Sequence, residues 1–309
     1  MRISVSKCVL CAAVVASTAM ASVAYADNPT FTYGTYEEKK VVEWKATASA
    51  GLLLTTGNAN QLSFTGAAMG SRDDGRNKLQ LDVSGSYARA SLLVFNDTNM
   101  NGVIDPGDLS HTNVTSTALW NTKLRYDRFF SANNSAYIDG FAWGNEPAGK
   151  KVVAGGQAGY ARQLYKNDVH LFSAEIGYDF SYERFVTGSP DNYYLHSLRL
   201  FLGYKATLTK DTSFALSVEY LGNMNSYNGP YGARVSSFGD SRVNGTTALT
   251  TRIWKKLSFQ LSFTAKYDNV PAPLPISGLL TGFTFAPGYT PKSESLDTVT
   301  AATLVMSFL

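Results

Sequence analysis

One stretch of the chain has the residue types and spacing to hold a hard cation. Asp97, Asn99, Asn101, Asp105 and Asp108 occupy positions 1, 3, 5, 9 and 12 of a loop with Gly102 at position 6 and Ile104 at position 8. This resembles an EF-hand or dockerin-type calcium loop. Ca²⁺ takes roughly six to eight oxygen ligands, and the glycine allows the sharp turn that wraps the loop around the ion. The Val103 carbonyl would supply the position-7 ligand. Asp108 stands where a bidentate Glu is usual, and its shorter reach implies weak binding, at about 10⁻⁴–10⁻³ M. The expected cofactor is therefore Ca²⁺, held by Asp97, Asn99, Asn101, Val103, Asp105 and Asp108. The plain alternative is a solvated Asn/Asp/Gly loop without an ion.

Catalytic chemistry is poorly provided for. A serine nucleophile needs a base within hydrogen-bond reach, and the only histidines are His111, His170 and His196. His196 adjoins Ser197, but on a strand neighbouring side chains point to opposite faces. No His-x-Ser pair occurs to share a face. The chain is expected not to be an enzyme, with a barrel lipid hydrolase as the least favoured alternative.

The elements that must carry these residues alternate in polarity with a period of two. Leu257, Phe259, Leu261, Phe263, Ala265 and Tyr267 interleave with Ser258, Gln260, Ser262, Thr264 and Lys266. Leu79, Leu81, Val83 and Tyr87 alternate with Gln80, Asp82, Ser84 and Ser86 in the same way. This is the signature of strands with one apolar and one polar face. Twelve such segments are expected, near 41–55, 60–71, 78–93, 113–128, 135–145, 151–164, 169–185, 193–208, 212–224, 240–253, 257–268 and 295–309. Several exceed the ~5–6 residues of an ordinary strand and suit the ~9–11 tilted residues that cross a bilayer.

Loop lengths sort by parity. Tight links such as Lys166-Asn167-Asp168, Thr209-Lys210-Asp211 and Lys255-Lys256 alternate with connections that include long ones near 96–112, 225–238 and 269–294. Short periplasmic turns opposite long extracellular loops mark outer-membrane barrels. The fold expected is all-β: a single antiparallel transmembrane β-barrel of about twelve strands. Alternation then places Lys45, Asp82, Lys123, Arg125, Asp127, Glu175, Asp179, Glu183, Arg199, Lys205, Glu219, Arg252 and Lys266 in the lumen. Basic and acidic groups interleave there, which suggests paired charges or a weakly selective channel in place of a one-sign filter.

The N-terminus reads as an export signal over residues 1–26. Arg2 and Lys7 precede an apolar run, and Ala24-Tyr25-Ala26 supplies small residues before Asp27. Both cysteines, Cys8 and Cys11, fall inside that segment, so the mature chain has no disulfide and no cysteine metal site. Residues 27–40 are expected to form a short periplasmic segment and 41–309 the barrel. Charged residues make up only 17% of the chain and its formal charge is +3. Without a basic block, nucleic acid is not an expected partner.

The order of Trp44, Thr55-Thr56-Gly57-Asn58, Leu124-Arg125-Tyr126-Asp127-Arg128-Phe129-Phe130, Gly155-Gly156-Gln157-Ala158-Gly159-Tyr160 and Glu175-Ile176-Gly177-Tyr178 resembles one known family. It is the salt-induced outer-membrane protein family, domain of unknown function 481. The resemblance covers roughly residues 41–268. It implies an outer-membrane barrel and supplies no catalytic residues, substrate or cofactor.

The expectation for function is a non-enzymatic outer-membrane barrel, either a narrow diffusion channel or an envelope protein of osmotic and salt response. The alternative from another class is a surface interaction or adhesion protein using calcium-ordered loops. Expected partners are outer-membrane lipid, the barrel-assembly machinery during insertion, and a small permeant that the sequence does not identify.

Overall fold

The computed structural model describes residues 42–55, 61–95, 109–186, 191–229, 232–273 and 294–308. The signal segment 1–26, the segment 27–40 and the calcium-type loop 97–108 lie outside the described residues.

Twelve strands close into one antiparallel barrel: β1 (Glu43–Thr55), β2 (Gln61–Asp73), β3 (Asn77–Phe95), β4 (Leu109–Ser131), β5 (Asn134–Asn145), β6 (Lys150–Lys166), β7 (His170–Phe185), β8 (Asn192–Thr207), β9 (Thr212–Asn223), β12 (Ser241–Trp254), β13 (Leu257–Asp268) and β14 (Leu296–Ser307). Two two-residue strands, β10 (Tyr227–Asn228) and β11 (Arg234–Val235), pair within the β9–β12 connection. Each barrel strand bonds to its neighbours in sequence, and β1 closes the ring on β14 from Thr47 opposite Ser307 to Ala50 opposite Leu304. Closure joins the two terminal strands along these four pairs, which serves the need of a membrane-spanning sheet to satisfy its edge N–H and C=O groups.

The pleat gives the wall two chemistries. Leu79, Leu81, Val83, Ile138, Leu202, Leu261 and Phe263 stand exposed on the outside. Exposure of so many large apolar side chains would be unfavourable in water and fits a surface facing lipid. The inside carries Ser, Thr, Gln and charged groups, many of them buried, including Asp127, Asp139, Glu175, Asp179, Glu183, Arg199 and Arg242. The strand expectation thus matches the barrel, with two differences at the edges. β3 and β4 extend further toward the extracellular side than expected, to Phe95 and from Leu109, and the small β10–β11 hairpin was not foreseen.

The periplasmic turns are tight for identifiable reasons. In the β2–β3 turn, Asp73 accepts the Gly75 N–H at 2.7 Å, and Asp74 accepts the Asn77 N–H at 2.7 Å. Gly75 adopts a left-handed φ of 88°, which its missing Cβ permits. Burial opposes ionisation of Asp74, but bonds from Asn77, Arg76 and Arg72 outweigh it and hold its pKa below the usual value.

Candidate functional site: a charged lumen

The interior is crossed by a chain of ion pairs at mid-height. Arg125 on β4 forks onto Glu175 on β7, with Nη1–Oε2 and Nη2–Oε1 distances of 3.1 and 2.8 Å, and it also binds Asp127 at 2.8 Å. Glu175 receives a second guanidinium, Arg199 of β8, at 2.6 Å. Arg199 continues to Glu219 of β9 at 2.6 Å, and Glu219 accepts from Asn244 of β12 at 3.0 Å. The forked geometry fixes orientation as well as charge. Between Arg125 and Glu175 lie β5 and β6, so this link spans open lumen and does not follow the wall.

Tyr137 of β5 underlies the two arginines. The Arg125 guanidinium sits 4.3 Å from the centre of its ring, and Arg199 donates to its hydroxyl at 2.9 Å. Room for this ring comes from two directly paired glycines, Gly159 and Gly177, where a Cβ on either would collide with the Tyr137 hydroxyl. Phe129, Tyr137 and Ala161 pack together on the periplasmic side, with Leu171 against them. Polar crossbar and apolar packing together narrow the passage on this side.

Above the crossbar lies a cavity of about 440 Å³. Its lining includes Asp82, Lys123, Asp179, Lys266 and Asp297 with the aromatic residues Phe141, Trp143 and Phe201. Lys123 pairs with Asp139 at 3.1 Å and bonds Gln157 at 3.3 Å. Asp179 accepts from Gln157 at 2.9 Å and from Ser181 at 2.8 Å. Gln80 donates to Asp82 at 2.9 Å, and Lys266 stands opposite Asp297 in the β13–β14 register.

A second bridge crosses the extracellular mouth. Lys150 of β6 reaches Asp268 of β13 at 2.8 Å and Glu183 of β7 at 3.2 Å, and Arg242 of β12 also meets Glu183, at 2.6 Å. The segment after β13 folds inward over this bridge. Ala272 is buried against Phe185 and Tyr193, and the Pro273 backbone approaches Gly149 so closely that a Cβ there would clash. Gly149 also has a left-handed φ of 80°. The β10–β11 hairpin adds Tyr227, whose hydroxyl donates to the buried carboxylate of Asp240 at 2.9 Å. Burial and the nearby carboxylates of Asp268 and Glu183 outweigh Arg242 and raise the Asp240 pKa to about 6; burial and the Asp240 charge raise that of Tyr227.

The remaining sequence-derived lumen residues lie at the periplasmic end. Lys45 pairs with Glu43 at 2.7 Å, and Lys205 sits exposed on the inward register of β8. Arg252 stands apart: it is 56% exposed and 3.6 Å from Asp211 of the β8–β9 turn, so it belongs to the rim. The interior also holds Lys78, Asp139, Lys150, Arg242, Asp268 and Asp297, which the segment-by-segment reading left out. A polar residue in register at a strand terminus is the signal that could have found Arg242 and Asp268.

His170 and His196 take no part in this interior. His170 bonds the Tyr204 hydroxyl at 2.8 Å, and His196 bonds the Tyr178 hydroxyl, both on the outward face. Ser197 points the other way and is fully buried. The His111 side chain lies outside the described residues. Among the described residues, no group of three or more His, Cys, Asp or Glu is placed to hold a metal ion.

Comparison with known proteins adds a family match. The family model described as "Protein of unknown function, DUF481" matches residues 48–308. No curated protein matches the chain. Similar solved structures include a NanC porin, 9% identical with a TM-score of 0.44, covering 86% of this chain and 100% of that one. An anion-selective porin from Comamonas acidovorans is 8% identical with a TM-score of 0.35, covering 87% and 99%. The outer membrane channel DcaP of Acinetobacter baumannii is 8% identical with a TM-score of 0.36, covering 89% and 100%.

Proposed function

The chain belongs to the DUF481 family, and from that premise we propose that it is a non-enzymatic outer-membrane barrel serving as a narrow diffusion channel. In this reading, small hydrophilic solutes enter the extracellular vestibule one at a time. They pass slowly through a lumen obstructed by paired charges. The observation that carries the reading is a closed barrel whose polar interior holds a 440 Å³ cavity between two ion-pair bridges. Such a cavity falls in the range of small-ligand sites. Its balanced lining of six acidic and six basic side chains favours weak selectivity over a strong sign preference.

A role in osmotic or salt response is consistent with this reading and is part of the proposal. The supporting logic is ionic strength: salt screens the pairs that water reaches, such as Lys150–Asp268 at the mouth and Arg199–Glu219 in the crossbar, whose carboxylates are about one-fifth exposed. The test is swelling of lipid vesicles that contain the purified mature protein. Slow swelling in small amino acids and monosaccharides, with little swelling in disaccharides, supports a narrow channel. Vesicles that swell no faster than protein-free ones in any solute, at low and high salt alike, would exclude it.

A further inference from the structure

The outside of the barrel carries a patch that the channel does not use. Near the periplasmic ends of β4 and β6, Arg128 and Arg162 both point outward and are exposed. They flank β5 closely: Arg128 stands opposite Ala136, and Arg162 stands opposite Asn134. With adjacent strands ~4.8 Å apart, their backbones are separated by about 10 Å across and two residues along. Two extended guanidinium groups converge easily over that span.

Neither arginine is neutralised by the protein. Arg128 donates at 2.6 Å to the neutral amide oxygen of Asn77, which also accepts from Tyr126. Arg162 forms no ion pair among the described residues. Two cations without carboxylate partners thus sit at one level of the outer wall.

That level is where lipid headgroups lie. Phe130 and Tyr160 stack beside the arginines with ring centres 6.2 Å apart, as interfacial aromatics do. Toward the middle of the bilayer, beyond exposed Tyr160 and Ile138, the outward residues of β5 and β6 are small: Gly140, Ala142, Ala154 and Gly156. Exposed Leu124 on β4 and Ile176 on β7 stand on either side. An acyl chain attached at the arginines would run over Tyr160 and Ile138 onto this low stretch of wall.

We infer that Arg128 and Arg162 bind the phosphate headgroup of an anionic phospholipid in the periplasmic leaflet, with its acyl chains lying over the outer face of β5 and β6. Guanidinium groups suit phosphate because their N–H forks match its oxygens. The inference rests on the membrane placement of the barrel and on nothing in its lumen.

The test is native mass spectrometry of the full mature protein in detergent, with phosphatidylglycerol and phosphatidylcholine supplied in equal amounts. Folding of every variant is first checked by heat-modifiable gel migration, so failure of the barrel itself is seen separately. The wild type is expected to retain roughly tenfold more phosphatidylglycerol. Arg128→Gln with Arg162→Gln should bring the ratio near one, and Lys255→Gln with Lys256→Gln in the β12–β13 turn should leave it unchanged. Gly156→Trp, which fills the low stretch of wall and spares both arginines, should lower retention of the two-chain lipid without affecting glycerol phosphate. Equal retention of the two lipids by the folded wild type would overturn the inference. So would an unchanged ratio in the double arginine variant, or a loss of binding to peptidoglycan sacculi in that variant without any lipid preference.

Discussion

Lys150 and Asp268 lie 118 residues apart in sequence, yet their side chains meet at 2.8 Å across the extracellular mouth. Five strand steps around the barrel separate β6 from β13, so the contact spans nearly a full diameter. A lysine ammonium on a flexible four-carbon stem suits such a reach, while Glu183 at 3.2 Å steadies it from the side.

Removing that strap should open the mouth at a tolerable cost. Lys150→Met is expected to destabilise the barrel by about 3 kcal/mol, the low end for breaking a buried pair. The cost is limited because Arg242 still serves Glu183. Entry of small solutes should rise. Vesicle swelling and the temperature of the gel-mobility shift measure the two effects together.

The crossbar should be more sensitive. Glu175 is shared by Arg125 and Arg199, so Glu175→Gln leaves two guanidinium groups facing each other without their common anion. A loss of about 3–5 kcal/mol is expected. Glu219→Gln should cost less, because its carboxylate is one-fifth exposed and Arg199 keeps Glu175. Thermal unfolding in detergent ranks the two variants.

Acid should tighten the extracellular hairpin. At neutral pH Asp240 is ionised, and burial makes that ion unfavourable in the folded loop. As pH falls through about 6, the folded state takes up a proton that an unfolded carboxyl, near 3.8, does not yet bind. Stability of the folded mouth around Asp240 therefore rises between about pH 6 and pH 4, by up to about 3 kcal/mol, although the Tyr227 hydroxyl itself favours the ionised carboxylate. Hydrogen exchange in the β10–β11 hairpin, corrected for intrinsic rates, should slow at pH 5 relative to pH 7. Asp240→Asn should abolish that dependence.

The calcium-type motif carries its own expectation. Millimolar Ca²⁺ should protect residues 96–109 from protease, and equal Mg²⁺ should do so far less, since it requires stricter octahedral geometry. Asp97→Ala should remove the protection. Identical cleavage with calcium and with chelator would leave a plain solvated loop.

Strand alternation made the barrel legible because a wall between lipid and water imposes period two on nearly every residue, as Leu257 to Tyr267 illustrate. Interior charges in the middle of strands, such as Arg125, Glu175 and Arg199, could be read the same way. Lys150 could not: a bulge between Lys150 and Val152 interrupts the register where the strand begins. Asp139 was hidden in β5, a short strand whose outward side carries Ala136, Gly140 and Ala142 and so alternates weakly. Pairing across the lumen leaves no trace in a single sequence. Arg125 and Glu175 are 50 residues apart, and only closure of the barrel decides that they meet.

Single-channel conductance in planar bilayers tests the channel reading most directly. The full mature protein is compared with a variant in which Arg125, Glu175 and Arg199 are all replaced by Ser, removing the crossbar without stranding a charge among those three. Small, weakly selective steps are expected for the wild type and clearly larger steps for the variant. Silent membranes with both proteins, each verified as folded and inserted, would contradict a passage through this barrel.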